Sequence, residues 1–224
     1  MILIEAKGDL AAQIKMIHNI NMSEISFRSL VEHLKSKKVY MMIGNGTKNQ
    51  FRDMRKVKKY LREITKLIPK NSAFLYFGDA ANKKNPDVGY LFELLHKMRP
   101  DIDIVMIQIN KAKSWGVPNF VNKVYWHRDF NKSCTWGGIY KGKPCSNTKK
   151  WVTLNKRLQD GISMIFVFGG GMITLDEMKL AKKHSIPVFY IPVERKFLGD
   201  KKTRVTKNHS ESDRIGVTII HKNR

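Results

Sequence analysis

An α/β fold with a doubly wound, mostly parallel sheet of about five strands is predicted by three stretches of this 224-residue chain that share one layout. In each, a run of apolar β-branched and aromatic residues ends in glycine, and a helix-like segment follows. The runs are 39–43 into Gly44, Asn45, Gly46 and Thr47; 73–77 into Gly78 and Asp79; and 164–168 into Gly169, Gly170 and Gly171. Regular alternation of strand with helix implies parallel crossovers. In such a sheet the carboxyl ends of the strands gather at one edge, so glycines far apart in sequence meet around one crevice, as in a Rossmann-like arrangement.

Each element follows from its pattern. A helical leader, residues 1–36, is clearest where Phe27, Leu30, Val31 and Leu34 share one face after a cap at Ser23. The strand at 38–43 leads into a helix with Phe51, Met54, Val57, Leu61, Ile64 and Ile68 on one side and Arg52, Arg55, Lys56, Lys59, Arg62 and Lys66 on the other. After the strand at 72–77, Asn85-Pro86-Asp87 reads as cap, first-turn proline and first-turn acid of a helix that buries Val88, Leu91, Phe92, Leu95 and Met98. Pro100-Asp101 stops that helix, and 102–109 forms the third strand. A helix at 149–160, a strand at 162–168, a helix at 174–184 and a strand at 187–191 complete the alternation.

Two parts depart from it within what reads as a single domain, 1–224. Residues 110–150 form an irregular insertion in which Trp115, Phe120, Tyr125, Trp126, Phe130, Trp136 and Tyr140 alternate with lysines and Arg128. Long insertions of this kind are often functional, and this one leaves from the ligand edge of the sheet. Within it Trp126-His127-Arg128-Asp129 is the densest polar group, read as an ordinary hydrogen-bonded cluster. The tail, 193–224, is basic; 215–220 alternates as an edge strand, with a hairpin to 203–206 as its pairing.

Composition bounds the partners. Forty-two Lys and Arg against 19 Asp and Glu give a formal charge of +23, a surface that attracts polyanions. Charge alone fixes no site, because scattered lysines on solvated faces give the same total. No apolar run is long enough to span a bilayer and the amino terminus lacks a basic start, so an intracellular protein without a membrane partner is expected. Cys134 and Cys145 are too few for a disulfide framework and are expected as reduced thiols; their spacing fits no zinc ribbon, so neither metal nor cofactor is expected.

The sharpest local signal is Phe168 to Glu177. A buried strand empties into three glycines, and a helix starting near Thr174 aims its first N–H groups at the crevice. Thr174 and Glu177 also have capping-box spacing, which by itself gives Glu177 a purely structural role. Gly44, Gly46, Thr47, Gly78, Gly169, Gly170, Gly171 and Thr174 are thus the candidate phosphate or nucleotide ligands. Asp79, at the end of the second strand, stands where an acid accepts ribose hydroxyls in many such sites, or caps its own turn. Gly44-x-Gly46 lacks the third glycine of a dinucleotide fingerprint, and Gly46-Thr47-Lys48 lacks P-loop spacing.

Residues 170–177 resemble the Gly-Gly-x-Gly-Thr-x-x-Glu signature of the SLOG superfamily, which includes LOG-type phosphoribohydrolases and the Rossmann-like domain of DNA-processing protein A. Gly170, Gly171, Thr174 and Glu177 match; Ile173 stands where the family has glycine. The resemblance implies a nucleotide or nucleotide-sugar site and, in its enzymes, cleavage of an N-glycosidic bond, with Glu177 and Asp79 as the catalytic candidates. It also implies an arginine on the preceding helix, for which the count falls on Leu154 and the nearest candidate is Arg157.

Two alternatives stay open. One is a DNA- or RNA-binding protein that uses the sheet as scaffold, with Arg55, Lys59 and Arg62 on phosphates and Trp115, Trp126 and Arg128 against bases. The other is a non-catalytic structural or sensor protein that forms homo-oligomers through its tail.

Overall fold

The computed structural model describes residues 23–44, 49–78, 86–129, 137–197, 203–204 and 218–219. Gly46, Thr47, Asp79, Asn85, Phe130, Trp136 and residues 1–22 of the leader lie outside these. An eight-stranded sheet comprises β1 (Ser23–Glu24), β2 (Lys38–Gly44), β4 (Ser72–Tyr76), β5 (Asp103–Ile109), β6 (Lys123–His127), β9 (Met164–Phe168), β10 (Val188–Ile191) and β13 (Thr218–Ile219), in the spatial order β1-β6-β5-β4-β2-β9-β10-β13. Every pairing in it is parallel. A three-stranded antiparallel sheet is made of β3 (Asn49–Phe51), β11 (Arg195–Phe197) and β12 (Thr203–Arg204), and a short hairpin of β7 (Ile139–Tyr140) and β8 (Lys143–Pro144).

Helices cover both faces because the strands are apolar on both. Val39, Met41, Ile43, Leu75, Val105, Ile165 and Val167 point to a layer made by α1 (Phe27–Leu34), α4 (Ser146–Arg157) and α5 (Met172–Lys183). Their neighbours Tyr40, Met42, Phe74, Tyr76, Met106, Phe166 and Phe168 point to α2 (Met54–Leu67) and α3 (Val88–Met98). The period of two along each strand thus fills two cores, the pattern of a parallel sheet enclosed by crossovers. Leu75 is fully buried in a central strand, so Leu75→Ala is expected to lower stability by about 2–5 kcal/mol in urea denaturation. Leu67→Ala, at a side chain 74% exposed, should stay within about 0.5 kcal/mol of the parent.

The five expected strands are present, as are the four helices after the leader and, within the leader's described residues, α1, with corrections at the margins. β6 lies inside the supposedly irregular insertion, which also holds a 3-10 helix (Asn110–Trp115). The tail does contain an antiparallel pair, but its arms are β11 and β12; within 215–220 it is Thr218 and Ile219 that pair, parallel to β10. Caps shift by a few residues: Ser26, not Ser23, accepts from Ser29 N at 3.1 Å, and Asp87, not Asn85, accepts from Tyr90 N at 3.2 Å. Cys145 is disulfide-bonded and not the free thiol expected; the sequence's other cysteine is Cys134.

Candidate functional site

The sheet order reverses between β2 and β9. From β2 the chain steps outward through β4, β5 and β6, then crosses back to place β9 on the other side of β2. Ligands of open α/β sheets bind outside the carboxyl ends of the strands at such a switch point. Here those ends are Gly44, paired in register with Phe168, and the Gly169–171 turn that follows Phe168. Gly78 ends the adjacent β4 segment, about two strand spacings, or ~10 Å, from the β9 turn. The described glycines therefore share one edge, as expected from their common layout.

Local chemistry explains the turn. Gly169 and Gly170 have φ of 60° and 106°, values that favour glycine, and the chain then enters α5 with Gly171 as N-cap. A Cβ on Gly170 would lie 2.6 Å from Thr174 Cγ2, so Thr174 packs directly against the glycine backbone. The Thr174 hydroxyl donates to Gly44 O at 3.3 Å, tying the helix to the end of β2. One expectation changes. Because α5 begins at Met172, Thr174 is a buried third helical residue and not the cap, and Ile173 takes an ordinary helical conformation, 55% exposed.

Glu177 is no cap either. Glu177 is partly buried, with its carboxyl enclosed by α4 and the insertion, and its pKa is pushed up to about 7, first by desolvation and also by Asp176, against the downward pull of Thr148, the Trp151 indole and the Gly138 backbone. Thr148 Oγ1 lies 3.4 Å from Glu177 Oε1 and accepts from Gly138 N at 2.8 Å. The insertion provides the roof: a Cβ on Gly137 would come within 2.9 Å of Glu177 Oε1, and one on Gly138 within 3.3 Å of Ile173 Cα. Glycine at both positions lets the strand entering β7 lie directly on α5, and Ile139 N points to Asp176 Oδ2 at 3.4 Å.

A buried polar chain that the sequence did not single out extends along the same edge. Gln108 Nε2 donates to Phe77 O at 2.8 Å and its Oε1 accepts from Ile109 N at 2.9 Å and Asn147 Nδ2 at 2.8 Å. Asn147 Oδ1 then meets His127 Nε2 at 2.8 Å, while His127 Nδ1 meets Arg128 O at 2.9 Å. Burial is the main reason the His127 pKa is lowered. Asp129 accepts from Ser146 Oγ at 2.6 Å, so His127 and Asp129 engage different partners on α4. The network anchors the amino end of α4 and the turn at Phe77 and Gly78. Gln108, a fully buried polar residue between Ile107 and Ile109, was the legible signal for it.

The remaining candidates divide into separate regions. Arg55, Lys59 and Arg62 are exposed along α2. Trp115, 48% exposed, Trp126, with Lys113 Nζ 5.6 Å from its ring centre, and the exposed Arg128 belong to the β6 end of the sheet, three strands from β2. Arg157 ends α4, about 14 Å along the helix axis from Thr148, and so cannot stand in for the family's arginine; Leu154 is core. The α4 residues facing Glu177 are Thr148 and Trp151, neither of them cationic. Compared by sequence with protein-family models and with characterised proteins, the chain matches none of them.

Proposed function

We propose that this protein binds a nucleotide or nucleotide-sugar through its phosphate at the carboxyl ends of β2 and β9. The observation that carries the reading is the coincidence, where the strand order reverses between β2 and β9, of Gly44, the Gly169–171 turn and the amino end of α5. A helix amino terminus following a glycine turn supplies N–H groups and a partial positive charge to a phosphate. Gly170, Gly171 and Thr174, matched to the SLOG signature, are the residues that build this turn, which supports assignment to that superfamily. Glycosidic cleavage demands more: Glu177 would have to meet both ligand and water, and its carboxyl lies beneath Gly137 and Gly138. Binding is therefore the favoured reading.

The test is a thermal-shift panel of nucleoside mono-, di- and triphosphates and nucleotide-sugars on the full chain and on Ile173→Asp. An acid in the first turn of α5 favours the helix, so the variant should fold, yet it repels an anion at the same place. At least one ligand should raise the Tm of the parent, and Ile173→Asp should weaken that ligand about tenfold or more, the effect of ~1.4 kcal/mol of repulsion. No shift with any member of the panel, or equal shifts in both proteins, would remove the proposal.

A further inference from the structure

A second anionic partner is indicated away from the crevice. The cations of α2 are not equivalent: Arg52 pairs with Glu194 at 2.6 Å, Lys66 with Glu63 at 3.0 Å, Lys56 Nζ reaches Pro192 O at 3.4 Å, and Lys58 lies over the Tyr90 ring. Arg55, Lys59 and Arg62 are exposed and, among the described residues, meet no acid. Their spacing of four and three residues makes them one stripe, about 10 Å long at 1.5 Å per residue. That length matches about three phosphates of one strand at ~3.4 Å rise each.

The amino end of α2 adjoins the small sheet. β3 leads through Arg52 and Asp53 directly into α2, and β3 pairs with β11, which pairs with β12. In that register Arg195 stands directly opposite Arg204. Trp115, Trp126 and Arg128 lie elsewhere, at the β6 end of the large sheet.

We infer that Arg55, Lys59 and Arg62 form a track for the phosphodiester backbone of a nucleic acid. An anionic membrane fits less well. A helix lying in a lipid surface inserts its apolar face, and the apolar residues of α2, Val57, Leu61 and Ile64, are sealed against the sheet. Backbone contacts of this kind carry affinity without sequence preference and release counterions.

Fluorescence anisotropy with a labelled DNA duplex, its single strand and the matching RNA, over about 50–200 mM salt, gives the slope of log K against log salt. The parent should bind with a steep negative slope. Arg55→Ala/Lys59→Ala/Arg62→Ala should flatten that slope by about 2–3 and weaken binding roughly a hundredfold near 0.1 M salt. The comparison protein is Lys156→Ala/Arg157→Ala/Lys182→Ala, which removes the same charge from exposed positions of α4 and α5 and should bind within a few-fold of the parent. On the parent itself, bound nucleic acid should shield Lys59 from lysine acetylation and leave Lys156 and Lys182 reactive, a readout independent of whether either triple variant folds. Equal weakening by both triples, no binding at low salt, acetylation of Lys59 unchanged by nucleic acid, or tighter binding to phosphatidylserine vesicles would each overturn the track.

Discussion

Gly44→Ala is expected to lower folding stability by at least about 3 kcal/mol and to abolish ligand binding at the crevice. The new methyl group would run into the Phe168 carbonyl oxygen and sit 3.1 Å from its carbonyl carbon. That obstacle is backbone of the neighbouring strand, not the end of a flexible side chain. Phe168 cannot retreat easily: it is fully buried, paired in register with Gly44, and its ring meets Phe51 edge-on at 6.4 Å between centres. Relief requires the ends of β2 and β9 to part, which also pulls Gly44 O away from the Thr174 hydroxyl. Gly44 is not among the residues with positive φ, so alanine suffers no conformational penalty there and the cost is steric. Gly116→Ala isolates the opposite case, since φ is 77° with ψ 176° and nothing lies within 4 Å of the added atom; it should cost about 1–3 kcal/mol, all of it conformational. Urea denaturation of both variants decides the matter, and a Gly44→Ala protein within about 1 kcal/mol of the parent would mean that the strand ends are not packed as described.

The sequence made the sheet legible because its strands are continuous apolar runs bounded by glycine, a pattern that only enclosed parallel strands require. β6 escaped because Lys123 and His127 dilute a five-residue run, and Ser23–Glu24 is too short to carry any pattern. Cap positions slipped by two or three residues wherever Ser, Asn, Asp or Thr clustered, since each can cap in isolation and the strand or turn before the helix decides which one does. Thr174 and Glu177 show the same limit at the site. Their spacing satisfies a capping box, yet Gly171 starts the helix and frees both side chains for tertiary work. The sequence indicated that Gly44, Gly78 and Gly169–171 share one edge of the sheet; that the insertion lays Gly137 and Gly138 over Glu177 depends on contacts between segments some forty residues apart, which no local pattern encodes.

That burial makes stability depend on pH in a stated direction. A carboxyl whose pKa rises on folding from 4.5 to about 7 binds its proton more tightly in the native state, so its contribution is fully present below pH 4.5 and is lost as pH rises through about 7. The shift corresponds to about 3 kcal/mol at 1.36 kcal/mol per unit. Other groups oppose it: burial lowers the pKa of His33, His127 and His184, and histidines of that kind contribute stability that increases as pH climbs through 6.5. The whole-protein profile therefore mixes both signs, and the difference between Glu177→Gln and the parent isolates the carboxyl. Glutamine keeps the volume and the acceptor that faces Thr148 but carries no charge at any pH. Urea denaturation should find the variant close to the parent at about pH 5 and more stable by up to about 3 kcal/mol at about pH 8. Hydrogen exchange gives the local counterpart. The Gly138 amide, held by Thr148, and the Ile139 amide, facing Asp176, should lose protection in the parent as pH rises past neutrality, after correction for the intrinsic rate, and keep it in Glu177→Gln. A stability difference that stays constant from pH 5 to 8 would show that Glu177 is not enclosed beneath the insertion, and with it would go the reason for ranking binding above cleavage.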